Sequence, residues 1–351
     1  MNTLPTITTL PGALAGTNLQ AFGEVANEAA ARHVFRLYQD RRPPNTQRGQ
    51  RAALDTFTAF LRFCGIAPTG NLYEDPSAWR GVTFGLLQAF QLWLVKQGYS
   101  IGTINGRVST VRFYMGLANQ AGHIPDGEIL KAQQVKGYSR KEAITLDAQR
   151  KSEGITTRRG AKKAQAVTIT AEQAASLYQA RNDTPQGRRD ALLMALLVFH
   201  GLRVSEIASL TVESLDMEKR MMTFTRFKTG RVSRHRIRGA TWQRLTAYLH
   251  DHPGHGGLWL ASTKSGALVP ASSMSIRAIR QRVADLGQGI DLDHLSPHDC
   301  RHAGATFIAS DPKTSLAGLM NWGAWESASS ASRYIEAGEA DNDGVSLGIE
   351  D

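Results

Sequence analysis

Residues 188–210 read RRDALLMALLVFHGLRVSEIASL. The run Ala191–Phe199 is apolar throughout, so a helix here has no polar face and is enclosed on every side by its own domain. It is the longest uninterrupted apolar stretch of the chain, and it falls far short of the ~20 residues needed to cross a bilayer. Gly201 is placed to stop the helix. Arg203 follows at once, where a charge beside a buried element needs a reason. Glu206, three residues on, leaves two readings open. One is a simple ion pair; the other is support for an arginine whose planar fork is aimed at phosphate oxygens.

Working outward, MMTFTRFKTGRVSRHRIR (221–238) reads as two short strands around a turn at Thr229 and Gly230. Helical patterns follow near 241–250, 272–286, 297–309 and 313–320. Upstream, TITAEQAASLYQA opens a helix at Thr170 with a capping-type start. The fold class expected for this half, 167–340, is therefore mainly α with a small antiparallel β-hairpin.

Before it, NTQRGQRAALDTFTAFLRFC (45–64) sets Leu54, Phe57, Leu61 and Cys64 on one helical face, with Asn45 or Thr46 as N-cap and Gly65 past the end. A second helix is expected over Phe84–Lys96. A third has Ile101, Ile104, Val108 and Val111 at helical spacing and carries Arg107 and Arg112, either solvated or in contact with a polyanion. No strand pattern precedes residue 135, so residues 21–135 read as a helical bundle. Residues 1–20, rich in Thr, Gly and Pro, read as a flexible arm. Between 131 and 163 ten basic residues meet three acidic ones, 10 − 3 = +7, with little apolar periodicity. Residues 136–166 thus read as a solvated basic linker, compatible with tracking a phosphate backbone. From Glu336 to Asp351 there are six carboxylates and no base; 341–351 reads as an acidic tail with Val345, Leu347 and Ile349 as an apolar handle.

The bulk numbers agree with two packed domains and a polyanionic partner. The 351 residues are 42% hydrophobic, and Lys plus Arg exceed Asp plus Glu by 41 − 31 = 10. An anionic membrane is the rival partner, but no basic amphipathic helix stands out. The first residues lack a basic n-region, so no signal peptide is expected. Cys64 and Cys300 are too few for a disulfide framework and fit a reduced, cytoplasmic compartment. The loop HDHPGHGG (250–257) holds three histidines at mixed spacing without a Cys or carboxylate cage, and reads as a polar loop rather than a metal site.

Two further stretches carry chemistry. In SPHDCRH (296–302), Ser296, Pro297 and Asp299 start a helix by a capping box. His298 and Arg301 are left on one face at its positive end, which suits a phosphate better than a metal. In NWGAWESASSASRYIE (321–336), Tyr334 lies nine positions beyond Trp325. Each signal is weak alone, since a lone tyrosine is usually packing and an HxxR pair usually structural.

In order along the chain, GLRVSE, a lysine on a hairpin turn, HDCRH and Trp–x8–Tyr resemble the tyrosine recombinase (phage integrase) family, and the resemblance covers the whole plan. It implies a SAM-like helical core-binding domain over 21–135 followed by a catalytic domain over 167–340. It further implies site-specific breakage and rejoining of double-stranded DNA, a tetrameric synapse on two sites, no cofactor and no metal, and a nucleoid-associated location. By the same resemblance Arg203, Lys228, His298, Arg301 and Tyr334 are the catalytic set. Trp325 stands where most members carry His and a minority Trp, in an otherwise divergent box. Physically, the arginines, His298 and Trp325 supply N–H donors to a phosphorane that gains negative charge. Tyr334 is the implied nucleophile, His298 its base and Lys228 the acid for the leaving 5′-oxygen, through a 3′-phosphotyrosine. A type IB topoisomerase-like relaxing enzyme and a non-catalytic DNA-binding protein are the alternatives.

Overall fold

The computed structural model describes residues 19–158, 167–179, 184–227 and 229–335. Most of the expected arm 1–20, the turn residue Lys228 and the acidic tail 341–351 lie outside them. Two compact units divide between Ala164 and Gln165.

The first unit is all helical among its described residues: α1 (Leu19–Gln39), α2 (Pro44–Phe63), α3 (Phe84–Lys96), α4 (Ile101–Gln120), α5 (Asp126–Gln134) and α6 (Arg140–Ser152), with a 3-10 turn at Pro76–Trp79. Leu54, Phe57 and Leu61 of α2 are buried, as their spacing predicts. Cys64 is exposed because it already caps the helix rather than belonging to its face. The start also differs: Pro44 takes the first helical position, which needs no amide donor, so Asn45 and Thr46 fall inside the helix. The core is aromatic, with Trp79 between Phe57 and Tyr114 at centroid distances of 6.0 and 6.3 Å. Neither arginine of α4 is simply solvated. Arg112 donates to the Val135 carbonyl at 2.8 Å, and Arg107 lies over the Tyr99 ring.

Helix α6 falls inside the stretch read as a linker. Ser139 and Glu142 form its capping box, and Arg150, almost wholly enclosed, donates to the carbonyls of Val95 and Tyr99 at and just past the end of α3. Charge-rich sequence hid this helix, because what anchors it is one cation on the negative end of another helix rather than an apolar stripe.

The second unit consists of α7 (Ala171–Gln179), α8 (Pro185–Phe199), α9 (Val204–Ala208), β1 (Leu215–Asp216), β2 (Met221–Arg226), β3 (Arg231–Arg236), α10 (Gly239–Leu249), β4 (Leu260–Ser262), β5 (Leu268–Ser273), α11 (Ile276–Gln288), α12 (Pro297–Ala309), α13 (Leu316–Gly323) and α14 (Ala328–Ala331), with a 3-10 turn at Ser332–Tyr334. β1, β2 and β3 form an antiparallel sheet in that order, and β4 pairs with β5. The mainly α fold class with small antiparallel sheets is therefore correct, though the β4–β5 ribbon takes residues expected to begin a helix at 272. Helix α8 is the central element, its residues from Arg189 to Val198 all buried. Leu192, Leu193, Leu196 and Leu197 pack in one core with Leu245, Tyr248, Ile279, Val283 and Cys300. Truncating any of these leucines to alanine costs about 2–5 kcal/mol. Helix α12 crosses α8 at Gly304, where an added Cβ would collide with the Val198 carbonyl oxygen. That close approach sets the start of α12 beside the end of α8.

Candidate active site

Gly201 takes the left-handed conformation (φ +56°) that ends α8 and turns the chain toward Arg203. Arg203 is the N-cap of α9. Its backbone N–H donates to Glu206 Oε2 at 2.7 Å and its Nη1 to Glu206 Oε1 at 2.9 Å. The ion-pair reading of Glu206 thus holds, and the paired guanidinium keeps about a quarter of its surface open. Glu206 itself is buried and accepts a further bond from Arg226 Nη1 at 2.8 Å.

The expected capping box of α12 is present. Ser296 donates its backbone N–H to Asp299 Oδ2 at 2.8 Å, and Asp299 also accepts from the Val167 N–H at 3.1 Å. Arg301, one turn in, is 4% exposed. Its Nη1 donates to the Gly201 carbonyl and its Nη2 to the Gly323 carbonyl at 2.6 Å. Arg203, Arg226, Glu206 and Tyr334 all lie within electrostatic reach of Arg301. Burial first, then Arg203 and Arg226, pull its pKa down to about 10, so it stays charged at neutral pH. His298, at the exposed start of the helix, is lowered from its ordinary value, chiefly by desolvation and against the pull of Asp299. Arg301, His302 and Arg203 push it in the same downward direction.

Tyr334 sits on the terminal 3-10 turn, 9% exposed, in a small cluster with Ala305, Leu319 and Ala331. Trp325 stacks on its ring at 5.2 Å, and the His302 ring meets it edge-on at 4.9 Å. Trp325 reaches that position because Ala324 ends α13 in the left-handed region (φ +48°), folding the Trp325 N–H back onto the Met320 carbonyl. Trp322, by contrast, spends its indole N–H on the Phe199 carbonyl at 2.8 Å.

Five of the six residues named from sequence are thus brought together: Arg203 and Tyr334 near the Arg301 guanidinium, Trp325 against Tyr334, and His298 within reach of both arginines. Lys228 lies outside the described residues, between β2 and the turn leading into β3. Sequence reading missed the contact of His302 with Tyr334 and the part of Arg226. For His302 a signal existed in the RH dipeptide, one turn beyond His298. For Arg226 there was none, since an arginine in a basic hairpin reads as solvated. Among the described residues, no group of three His, Cys, Asp or Glu side chains is arranged to hold a metal, and no helix is long and apolar enough to cross a membrane.

With two arginines tied to backbone and one carboxylate, and a phenol beside them, the arrangement has the chemistry to receive an anion next to a potential nucleophile. Comparisons with known proteins point the same way. Residues 168–340 match the family model described as the phage integrase family. The chain is similar to tyrosine recombinase XerC of Xylella fastidiosa (strain M23), 30% identical over 147 residues, which are 40% of this chain and 46% of the relative. The chain thus spans about half the length of this curated relative. Its fold is like that of a lambda integrase (residues 75–356) dimer bound to a COC′ core site, with TM-score 0.59, 14% identity, and 94% and 100% of the two chains covered. It is also like the Tn1549 transposon integrase in complex with transposon right end DNA, with TM-score 0.57, 14% identity, and 89% and 96% covered.

Proposed function

We propose that this chain is a member of the tyrosine recombinase (phage integrase) family and acts as a site-specific recombinase of double-stranded DNA, a reading supported by the family match over its second unit and by its curated relatives. Tyr334 attacks a backbone phosphorus, its Oη–P bond forming as the P–O5′ bond breaks. The phenol proton passes to His298 or through it to water, and Lys228 protonates the leaving 5′-oxygen. Arg203, Arg301 and the Trp325 N–H take up the charge that builds on the non-bridging oxygens. The phosphotyrosine conserves the bond energy, and attack by the 5′-hydroxyl of a partner strand reverses the step to complete exchange. A tetramer on two sites is the assembly in which four such exchanges join two duplexes.

The observation that carries this reading is the gathering of Arg203, Arg226 and Tyr334 around the largely buried Arg301, with Glu206 as the carboxylate that Arg203 and Arg226 share. That leaves net positive charge beside a phenol, which suits an anionic substrate. The test begins by mapping the DNA that the protein protects across genomic fragments. A duplex of that sequence, nicked near the scissile bond so that the released piece diffuses away, should trap covalent protein–DNA adduct, and Tyr334→Phe should trap none. Relaxation of supercoiled plasmid without any site requirement would favour topoisomerase-like action. Tight binding to the site with no adduct from the unaltered protein would favour a DNA-binding role alone.

A further inference from the structure

Arg226 is fully enclosed, yet it carries a charge. Its donors reach three elements besides its own. Nη1 bonds Glu206 Oε2 of α9 at 2.8 Å, Nη2 bonds the Trp322 carbonyl of α13 at 2.8 Å, and Nε bonds Ser233 Oγ of β3 at 3.2 Å. Nη2 also faces His235 Nε2 at 3.4 Å, and His235 Nδ1 lies 3.4 Å from His200 Nδ1. Since a guanidinium only donates, His235 Nε2 must be the acceptor. The proton of a neutral His235 is then on Nδ1, donated to His200 Nδ1. The direction of every bond around Arg226 is thereby fixed.

These bonds close a circuit. Arg301 holds the carbonyl of Gly201, two residues before Arg203, and the carbonyl of Gly323, next to Trp322. Arg226 joins the remaining gap, from Trp322 to Glu206, and Glu206 holds Arg203. Without Arg226 the loop opens between α13 and α9. The charge balance changes as well. Glu206 is a buried carboxylate shared by two guanidiniums, and when one of them neutralises it, the charge of the other is free to meet a substrate anion. Remove Arg226, and Glu206 claims Arg203 for itself.

Resting on the proposed phosphodiester chemistry, we propose that Arg226 is a positioning residue that, through Glu206 and the Trp322 carbonyl, keeps Arg203 and Arg301 directed at one phosphate and leaves the Arg203 charge available to it. It touches no substrate itself. Its neighbours orient the arginines as outer partners orient the ligands of a metal, and loss of such a partner typically costs 10–100-fold.

The experiment uses the full chain as wild type, Arg226→Lys, Arg226→Met, Glu206→Gln and the double variant Arg226→Met/Glu206→Gln, each assayed well below its own melting temperature. Single-turnover adduct formation is measured at saturating duplex, DNA affinity separately, and binding of orthovanadate to DNA-free protein by quenching of tryptophan fluorescence. Arg226→Met should slow adduct formation by about 30-fold or more while DNA affinity stays within about threefold, and should weaken vanadate binding about tenfold. Arg226→Lys, which keeps the charge but not the three-way fork, should fall between. The double variant should be no slower than the worse single one, because both open the same circuit. Arg226→Met cleaving within threefold of wild type would overturn the proposal, as would losses in Lys and Met variants that follow only their melting temperatures. Should Arg226→Met not fold, Arg226→Lys at the wild-type rate would do the same. If wild-type protein forms no adduct, the proposed chemistry fails, and vanadate then decides the arrangement alone: equal affinity in wild type and the Arg226 variants overturns it.

Discussion

The indole of Trp325 stacks on the phenol ring of Tyr334, with centroids 5.2 Å apart and planes 28° from parallel. With His302 edge-on at 4.9 Å, the Tyr334 ring is held from two sides. An aromatic pair of this kind contributes about 0.5–1.5 kcal/mol beyond its buried area, which corresponds to roughly tenfold in rate if it is lost only as the phenol reaches the phosphate. Trp325→Ala should therefore lower the rate of adduct formation by at least that factor without weakening DNA binding, and Trp325→Phe, which restores the ring but not the N–H donor, should recover only the part due to the stack. A wild-type rate for Trp325→Ala would show that the stack does not hold Tyr334 for attack.

Arg301 spends two N–H groups on the carbonyls of Gly201 and Gly323 before any substrate arrives. A lysine has no planar fork and cannot hold two carbonyls and a phosphate oxygen in the same geometry. Arg301→Lys is expected to cost about 10²–10³ in single-turnover cleavage, with Kd for the duplex changed much less. Equal losses in Kd and rate would instead assign Arg301 to ground-state binding.

Burial holds His200 down to about 4 and, with His200 and Arg226 beside it, His235 down to about 3. Both are neutral in the native protein, whereas an unfolded histidine titrates near ~6.5. Above that pH neither state gains a proton and stability is unaffected. As pH falls below it, the unfolded chain binds protons that the native one refuses, so stability declines until the native groups titrate. For His200 the loss amounts to about 3 kcal/mol by pH 4. Urea unfolding of wild type and His200→Asn between pH 7.5 and 4.5 should show a steeper decline in wild type; parallel curves would contradict the assignment.

The lowered pKa of His298 predicts the acid limb of the rate profile. A base must be neutral to act, so cleavage should stay flat through neutral pH and fall only as His298 protonates, with a midpoint under ~6.5. His298→Gln should remove that limb along with much of the rate. A limb centred above 7 that survives the substitution would assign the proton transfer elsewhere.

Gly304 is where α12 rests on α8. Gly304→Ala forces a methyl against the Val198 carbonyl oxygen, and overpacking of this kind costs typically 1–3 kcal/mol. Because the same crossing brings Arg301 beside Gly201, the variant should lose cleavage as well as melting temperature. An unchanged melting temperature would mean that the two helices separate freely there.

The amino-acid sequence by itself determined the elements whose signals are local. The apolar run of α8, the capping box at Ser296 and the Thr229–Gly230 turn each depend on neighbours within a few residues, and the order of GLRVSE, HDCRH and Trp–x8–Tyr along the chain singles out Arg203, His298, Arg301 and Tyr334 as candidates. Helix α6 and the β4–β5 ribbon escaped such reading, because one is secured by Arg150 on carbonyls some fifty residues away and the other by pairing across a loop. Only the tertiary structure decided that Glu206 serves two arginines, that Arg226 is buried rather than solvated, and that Trp325 and His302 enclose Tyr334. The reason is physical: a charge is stable in the interior only where partners from distant segments converge on it, and no single segment of the chain records that convergence.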